Sequence, residues 1–60
     1  MIPQDPVMLL SFINMKLRDE YQGLDALSEG LDISKDGLDE IVRKLENIGY
    51  KYDPKLNKFA

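Results

Sequence analysis

The spacing of the apolar residues changes at Gly49, and this change constrains the fold more than any other feature of the chain. Before Gly49, five apolar residues recur at the spacing of one helix face, namely Leu38, Ile41, Val42, Leu45 and Ile48. After it, Tyr50 and Tyr52 alternate with polar residues, which is the period of a strand. Glycine commonly follows the last turn of a helix. The sequence therefore predicts a helix with one buried face, ended by Gly49 and followed by a strand.

The residues after Gly49 predict a β-hairpin. Asp53-Pro54 suits the first two positions of a type I turn, and Asn57 tolerates the left-handed conformation that returns the chain. A loop over residues 54–57 would place Tyr52 opposite Phe59 as an aromatic cross-strand pair. Because two strands alone are only marginally stable, we expect the hairpin to pack on helices.

Three helices are predicted before the hairpin. Asp5-Pro6 begins the first, because Asp accepts free backbone N–H groups and Pro at the first helical position loses no hydrogen bond. Gln22-Gly23 and Gly30 bound a short second helix, and Ser34 caps the third. The predicted bounds are about 6–21, 24–30 and 34–48 for the helices and about 50–59 for the hairpin. The expected fold class is α+β, mainly α, in a single domain over residues 1–60.

The joint between the second and third helices has the spacing of a helix-turn-helix. Leu27-Ser28 precedes the turn, and Ile33 would plug the core just before the Ser34 cap. Asp32 holds the turn position that glycine usually occupies. With a hairpin directly after the third helix, the predicted arrangement is helix-turn-helix-like and resembles a winged-helix domain.

The same stretch, LDISKDGLDE, also begins like a calcium loop. Asp32, Ser34, Asp36 and Gly37 meet the first four requirements of such a loop. The twelfth position needs a bidentate Glu, but Arg43 stands there and offers a cation. We therefore expect no metal site and interpret these oxygens as helix caps and solvated groups.

Composition limits the chemistry that the chain can perform. With no cysteine and no histidine, it has no disulfide framework, thiol nucleophile, zinc-type Cys/His site or imidazole base. A 60-residue chain also lacks the deep pocket that would adapt Asp19 and Glu20 to acid–base work. We expect no enzyme activity, no cofactor and no small-molecule substrate. With neither a membrane span nor a signal peptide in the pattern, a cytoplasmic location is the default.

Nucleic-acid binding of the winged-helix type is the alternative function. The net charge of -3 argues against a main role in binding a phosphate backbone. The third helix mixes acids with bases, which we interpret as Asp39–Arg43 and Glu40–Lys44 pairs on a solvated face. If nucleic acid were bound, the contacts would come from five cations, Lys35, Arg43, Lys51, Lys55 and Lys58.

The first helix carries more apolar residues than one buried face requires. One stripe comprises Leu10, Ile13, Leu17 and Tyr21, with Leu9 beside it. A second stripe comprises Met8, Phe12 and Met15. The second stripe is either core beneath the hairpin aromatics or an exposed patch that binds a protein partner or a second copy of the chain. The favoured function is accordingly a non-enzymatic interaction module that binds protein or forms a homodimer.

Three motifs resemble a small bacterial family classed as a domain of unknown function. They are D-P-x-M-L-L-S at Asp5–Ser11, N-x-K-L-R-D at Asn14–Asp19 and G-Y-x-Y-D at Gly49–Asp53. Members of that family are single domains of similar length, so the resemblance covers nearly the whole chain. It implies no catalytic or binding residue. It does imply that the polar residues of the second motif recur, and we interpret them as fixing the corner between the first and second helices, or as contacting a ligand or partner.

Overall fold

The computed structural model describes residues 2–60 and contains three helices followed by a two-stranded antiparallel sheet. The elements are α1 (Pro6–Asp19), α2 (Leu24–Gly30), α3 (Lys35–Asn47), β1 (Tyr52–Asp53) and β2 (Lys58–Phe59). The predicted fold class, α+β and mainly α, is confirmed. Over residues 2–60, no helix is both long enough and apolar enough to cross a lipid bilayer.

Two predicted caps begin the long helices. The Asp5 carboxylate accepts a hydrogen bond from the Met8 backbone N–H at 3.0 Å, and Pro6 is the first residue of α1. The Ser34 hydroxyl accepts one from the Gly37 N–H at 3.1 Å. Each cap satisfies a donor that the helix itself leaves free, a contribution of about 1 kcal/mol to stability. Both predictions of a helix start are confirmed.

Helices α2 and α3 end in the same hydrogen-bond pattern. After α3, the Gly49 N–H donates to the Glu46 carbonyl at 3.0 Å and the Tyr50 N–H donates to the Leu45 carbonyl at 2.9 Å. Gly49 has a φ of 92°, as this C-terminal motif requires. After α2 the left-handed position is filled by Asp32, with a φ of 55°. The turn between α2 and α3 is therefore made at the predicted residue, although that residue is not glycine.

The core is formed by residues from all three helices and from β2. Its buried side chains are Leu9, Ile13, Leu17, Leu27, Ile41, Leu45 and Phe59. Ile48, which the helical spacing placed on the buried face of α3, is instead 37% exposed. That part of the prediction is wrong because α3 ends at Asn47, so Ile48 no longer follows the helical periodicity.

The hairpin has the predicted register. Tyr52 lies opposite Phe59, and their ring centroids are 5.6 Å apart at an interplanar angle of 59°. Asn57 adopts the left-handed conformation with a φ of 51°, and the Asp53 carboxylate accepts from the Lys55 N–H at 2.9 Å. The loop over residues 54–57 and the aromatic cross-strand pair are both confirmed.

Candidate interaction surface on helix α1

The second apolar stripe of α1 lies largely outside the core. Met8 is 62% exposed and Met15 is 41% exposed, and Val7 beside them is 65% exposed. Phe12 is half-buried against the edge of the core, with the Lys16 ammonium 5.7 Å from its ring centroid. The hairpin aromatics therefore leave Met8 and Met15 uncovered. We call the set Val7, Met8, Ser11, Phe12 and Met15 the α1 face.

The position of the hairpin explains why the α1 face stays open. Asn14 donates from Nδ2 to the Phe59 carbonyl at 3.1 Å, and its Oδ1 accepts from the Phe59 N–H at 2.8 Å. Its side-chain amide thus pairs with β2 as a neighbouring strand would. Phe59 is held with its ring in the core, so the hairpin lies along one flank of α1.

A second asparagine fastens the hairpin to the C-terminal end of α1. Asn57 donates from Nδ2 to the carbonyls of Leu17 at 3.0 Å and Tyr21 at 2.9 Å, and its Oδ1 accepts from the Tyr52 hydroxyl at 2.7 Å. Carbonyls in the last turn of a helix have no partner within the helix. Sequence reasoning predicted only the backbone conformation of Asn57. Its left-handed turn position gave no indication of contacts with residues about forty positions earlier.

The polar motif at the end of α1 does not act as one unit. Asn14, interpreted from the sequence as part of the corner between α1 and α2, holds the hairpin instead, so this interpretation is wrong for Asn14. The remaining charged residues pair locally, Lys16 with Glu20 at 2.6 Å and Arg18 with Asp19 at 2.8 Å.

Hydrogen bonding within these exposed ion pairs shifts the pKa values of Lys16 and Asp19. The hydrogen bond to Glu20 raises the pKa of the Lys16 ammonium. The hydrogen bond from Arg18 lowers the pKa of the Asp19 carboxyl. Ion pairs at such exposed positions contribute little to stability, since water and salt screen them. Asp19 and Glu20, the carboxylates considered for acid–base work, are therefore each held by a neighbouring cation.

A shallow groove of about 700 Å³ lies between α1 and the hairpin turn, beside the α1 face. Met15 lines it from α1, and Leu56, which is 59% exposed, lines it from the turn. Arg18 and Lys58 also line it. The groove extends the exposed apolar surface of α1 onto the hairpin.

The residues predicted to contact nucleic acid lie on α3 and around the hairpin. All five are exposed: Lys35, Arg43, Lys51, Lys55 and Lys58. The expected pairs Asp39–Arg43 and Glu40–Lys44 are not formed in the part of the chain that the structure describes. Lys44 instead donates to the Gln4 side-chain oxygen at 3.0 Å. Asp39 and Glu40 are therefore exposed on α3 without forming the expected ion pairs.

The stretch that resembles a calcium loop forms the joint between α2 and α3. Its Ser34 hydroxyl is engaged as a helix cap, and Asp36 lies in the first turn of α3, where a carboxylate complements the helix dipole. Among residues 2–60, no three Asp or Glu side chains come together in a group that could hold a metal ion.

Fold and surface together define a small, mainly helical domain with an exposed apolar helix face and a hairpin along its flank. A family model described as "Domain of unknown function (DUF4250)" matches residues 3–59, and the chain belongs to that family. The predicted resemblance to a family of unknown function is thereby confirmed. Neither a curated protein nor a solved structure matches the chain.

Proposed function

We propose that the chain is a non-enzymatic interaction module that binds protein through the α1 face. The observation that carries the proposal is the exposure of Val7, Met8 and Met15 on a helix whose other side already fills the core. Adjacent apolar side chains exposed on one helix face are typical of surfaces that bind another protein. Removing them from water would stabilise a complex by about 25 cal/mol per Å² of apolar area.

The α1 face combines an adaptable surface with a fixed backbone. Methionine side chains are flexible and polarizable, so Met8 and Met15 can fit partners of irregular shape. The helix beneath them is capped by Asp5 and tied to β2 by Asn14. Because the backbone is already ordered, binding loses mainly side-chain entropy.

Nucleic-acid binding is the second candidate, and a different part of the molecule favours it. The left-handed turn at Asp32 and the Ser34 cap fit a helix-turn-helix-like joint, and a hairpin with exposed lysines follows α3. Against it, Asp39 and Glu40 are exposed on α3 and would approach the phosphates. Salt dependence separates the two candidates, because binding to phosphates weakens steeply with salt and apolar contact does not.

Photo-crosslinking in the cells that naturally produce the chain would test the proposal. A benzophenone amino acid at Met15 is expected to crosslink to protein, whereas the same group at the exposed Glu46 of α3 is not. A third probe at Lys55 would capture nucleic acid if the second candidate holds. Crosslinks from Lys55 to nucleic acid, with none from Met15 to protein, would overturn the proposal.

A further inference from the structure

The residue pattern of the α1 face is symmetric about the peptide bond between Ser11 and Phe12. In MLLSFINM, Met8 and Met15 stand at equal distances on either side of this central pair. Further out, the exposed residues Asp5 and Arg18 also stand at equal distances, and they carry opposite charges. A two-fold interface requires one surface patch to be complementary to itself when reversed. The α1 face meets that requirement in the spacing of its methionines, and the flanking Asp5 and Arg18 meet it in charge.

We propose that the partner of the α1 face is a second copy of this chain, with α1 packed antiparallel on α1. The inference rests on the proposed function and specifies its partner. In this arrangement Met8 of each chain lies against Met15 of the other. Ser11 lies opposite Phe12 of the second copy, and Asp5 lies opposite its Arg18.

The spacing of four residues along α1 suits the packing of two helices. Met8, Ser11, Met15 and Arg18 follow the alternating three- and four-residue spacing of a coiled-coil seam. Ser11 is small and exposed, so it leaves room for the half-buried Phe12 ring of the other chain. Small residues facing large ones allow two helices to interdigitate.

Charge favours the antiparallel orientation over the parallel one. Parallel packing would bring Asp5 against Asp5 and Arg18 against Arg18, whereas antiparallel packing brings each acid against a base. Arg18 contacts its neighbour Asp19 through Nε and Nη2, and a guanidinium has five donors, so Nη1 remains available. Asp5 uses Oδ2 for the helix cap. Asp5 and Arg18 can therefore form cross-chain ion pairs without losing the contacts they already make.

Residues 2–4, which precede α1, leave the α1 face accessible. Gln4 accepts from the Lys44 ammonium at 3.0 Å, and Ile2 and Pro3 line a cavity of about 170 Å³ together with the core residue Leu9. This segment is thus drawn toward α3, on the core side of α1. A second copy can approach Met8 without displacing it.

Single cysteines provide the test of orientation, because the natural chain has none. Met8→Cys and Met15→Cys proteins would be oxidised separately and as an equimolar mixture. In the antiparallel dimer the Met8 positions are about 10 Å apart along the helix axis, beyond the roughly 7 Å that a disulfide can bridge. The mixed disulfide is therefore expected to exceed either same-residue disulfide by about tenfold. A preference for same-residue disulfides would overturn the antiparallel arrangement.

Sedimentation of the full chain tests association itself. We expect the mass to rise with concentration from 6.9 kDa to twice that value. Met8→Glu is expected to weaken the dimer at least about tenfold, because it buries unpaired carboxylates in the contact. The matched control is Ile48→Glu, because Ile48 is also an exposed apolar residue but lies after the end of α3, outside the α1 face and the groove beside it. The circular dichroism spectra of both variants should match that of the natural chain.

The outcomes separate this inference from the proposed function. A chain that stays monomeric up to millimolar concentration overturns the self-association, and so does a dimer that Ile48→Glu weakens as much as Met8→Glu. If the chain is monomeric but the Met15 probe captures another protein, the proposed function stands and only the identity of its partner is wrong. If the probe at Met15 captures neither another protein nor a second copy of the chain, the inferred dimer and the proposed protein binding are both wrong.

Discussion

The side-chain amide of Asn14 pairs with the backbone of Phe59 in both directions, donating at 3.1 Å and accepting at 2.8 Å. The Asn14 amide thereby makes the two hydrogen bonds that a residue of a third strand would make with β2. Both groups are partly buried, so removing the amide would leave the N–H and the carbonyl of Phe59 without partners.

Asn14→Ala is expected to lower the free energy of unfolding by about 2 kcal/mol, because two partly buried backbone groups lose their hydrogen bonds. Asn47→Ala, at an exposed asparagine at the end of α3, is the matched control and should change it by less than about 0.5 kcal/mol. Urea denaturation followed by circular dichroism measures both. Equal losses in the two variants would show that the pairing with Phe59 contributes nothing.

Replacing Asn57 separates its backbone role from its side-chain role. Asn57→Gly keeps the left-handed φ of 51° but removes the bonds to Leu17, Tyr21 and Tyr52, so a loss of about 1–2 kcal/mol is expected. Asn57→Ala removes the same bonds and also strains the backbone, which adds about 1 kcal/mol. Comparing the free energies of unfolding of Asn57→Gly and Asn57→Ala separates the side-chain role from the backbone role. Should Asn57→Gly prove neutral, the side chain would be only a turn former.

The turn at Asp32 offers a stabilising substitution. Asp32 has a left-handed backbone with a φ of 55°, which a residue with a side chain adopts only at a cost. Asp32→Gly removes that cost, so the free energy of unfolding is expected to rise by about 0.5 kcal/mol. Gly49→Ala makes the converse change at a φ of 92° and should lower stability by about 1 kcal/mol. Thermal unfolding measures the melting temperature, which should rise for Asp32→Gly and fall for Gly49→Ala. An unchanged or lower melting temperature for Asp32→Gly would mean that the Asp32 side chain has a stabilising role of its own.

The features that the sequence predicted correctly depend on residues close together in the chain. The Asp5 and Ser34 caps and the register of the hairpin each involve partners within a few residues, so local patterns determine them. The contacts of Asn14 with Phe59, and of Asn57 with Leu17 and Tyr21, join residues 36 to 45 positions apart. No local pattern encodes such pairs, because their formation depends on how the elements pack.

The candidate site was predictable only in part for the same reason. Helical spacing identified Met8, Phe12 and Met15 as a second apolar stripe of the first helix. The helical spacing of apolar residues does not show whether a neighbouring element covers them. The structure answers this question, because the hairpin follows Asn14 along the flank and leaves Met8 and Met15 exposed.

The ion pair between Arg18 and Asp19 predicts a specific pH response. Because the hydrogen bond from Arg18 lowers the pKa of the folded Asp19 carboxyl, the pair stabilises the fold above the unfolded pKa of that carboxyl. That contribution is lost as the pH falls through the lower, folded value. Arg18→Gln should therefore raise the pKa of Asp19, as measured by NMR titration of its carboxyl carbon. The shift should shrink in high salt, since both groups are exposed. An unchanged pKa would show that the pair does not persist in solution.

Met8 and Leu9 are neighbours in the chain but differ in what surrounds them, since Met8 is exposed and Leu9 is buried in the core. Leu9→Ala should lower the free energy of unfolding by about 3 kcal/mol, because it leaves a cavity in the core. Met8→Ala should change it by less than about 0.5 kcal/mol at dilutions where the chain is monomeric, because Met8 makes few contacts within its own chain. Denaturation at two protein concentrations separates folding from association. If Met8→Ala costs little in dilute solution but more at high concentration, the methionine serves an intermolecular contact, as the antiparallel dimer requires. A loss comparable to that of Leu9→Ala at every concentration would instead place Met8 in the core and remove the α1 face as a binding surface.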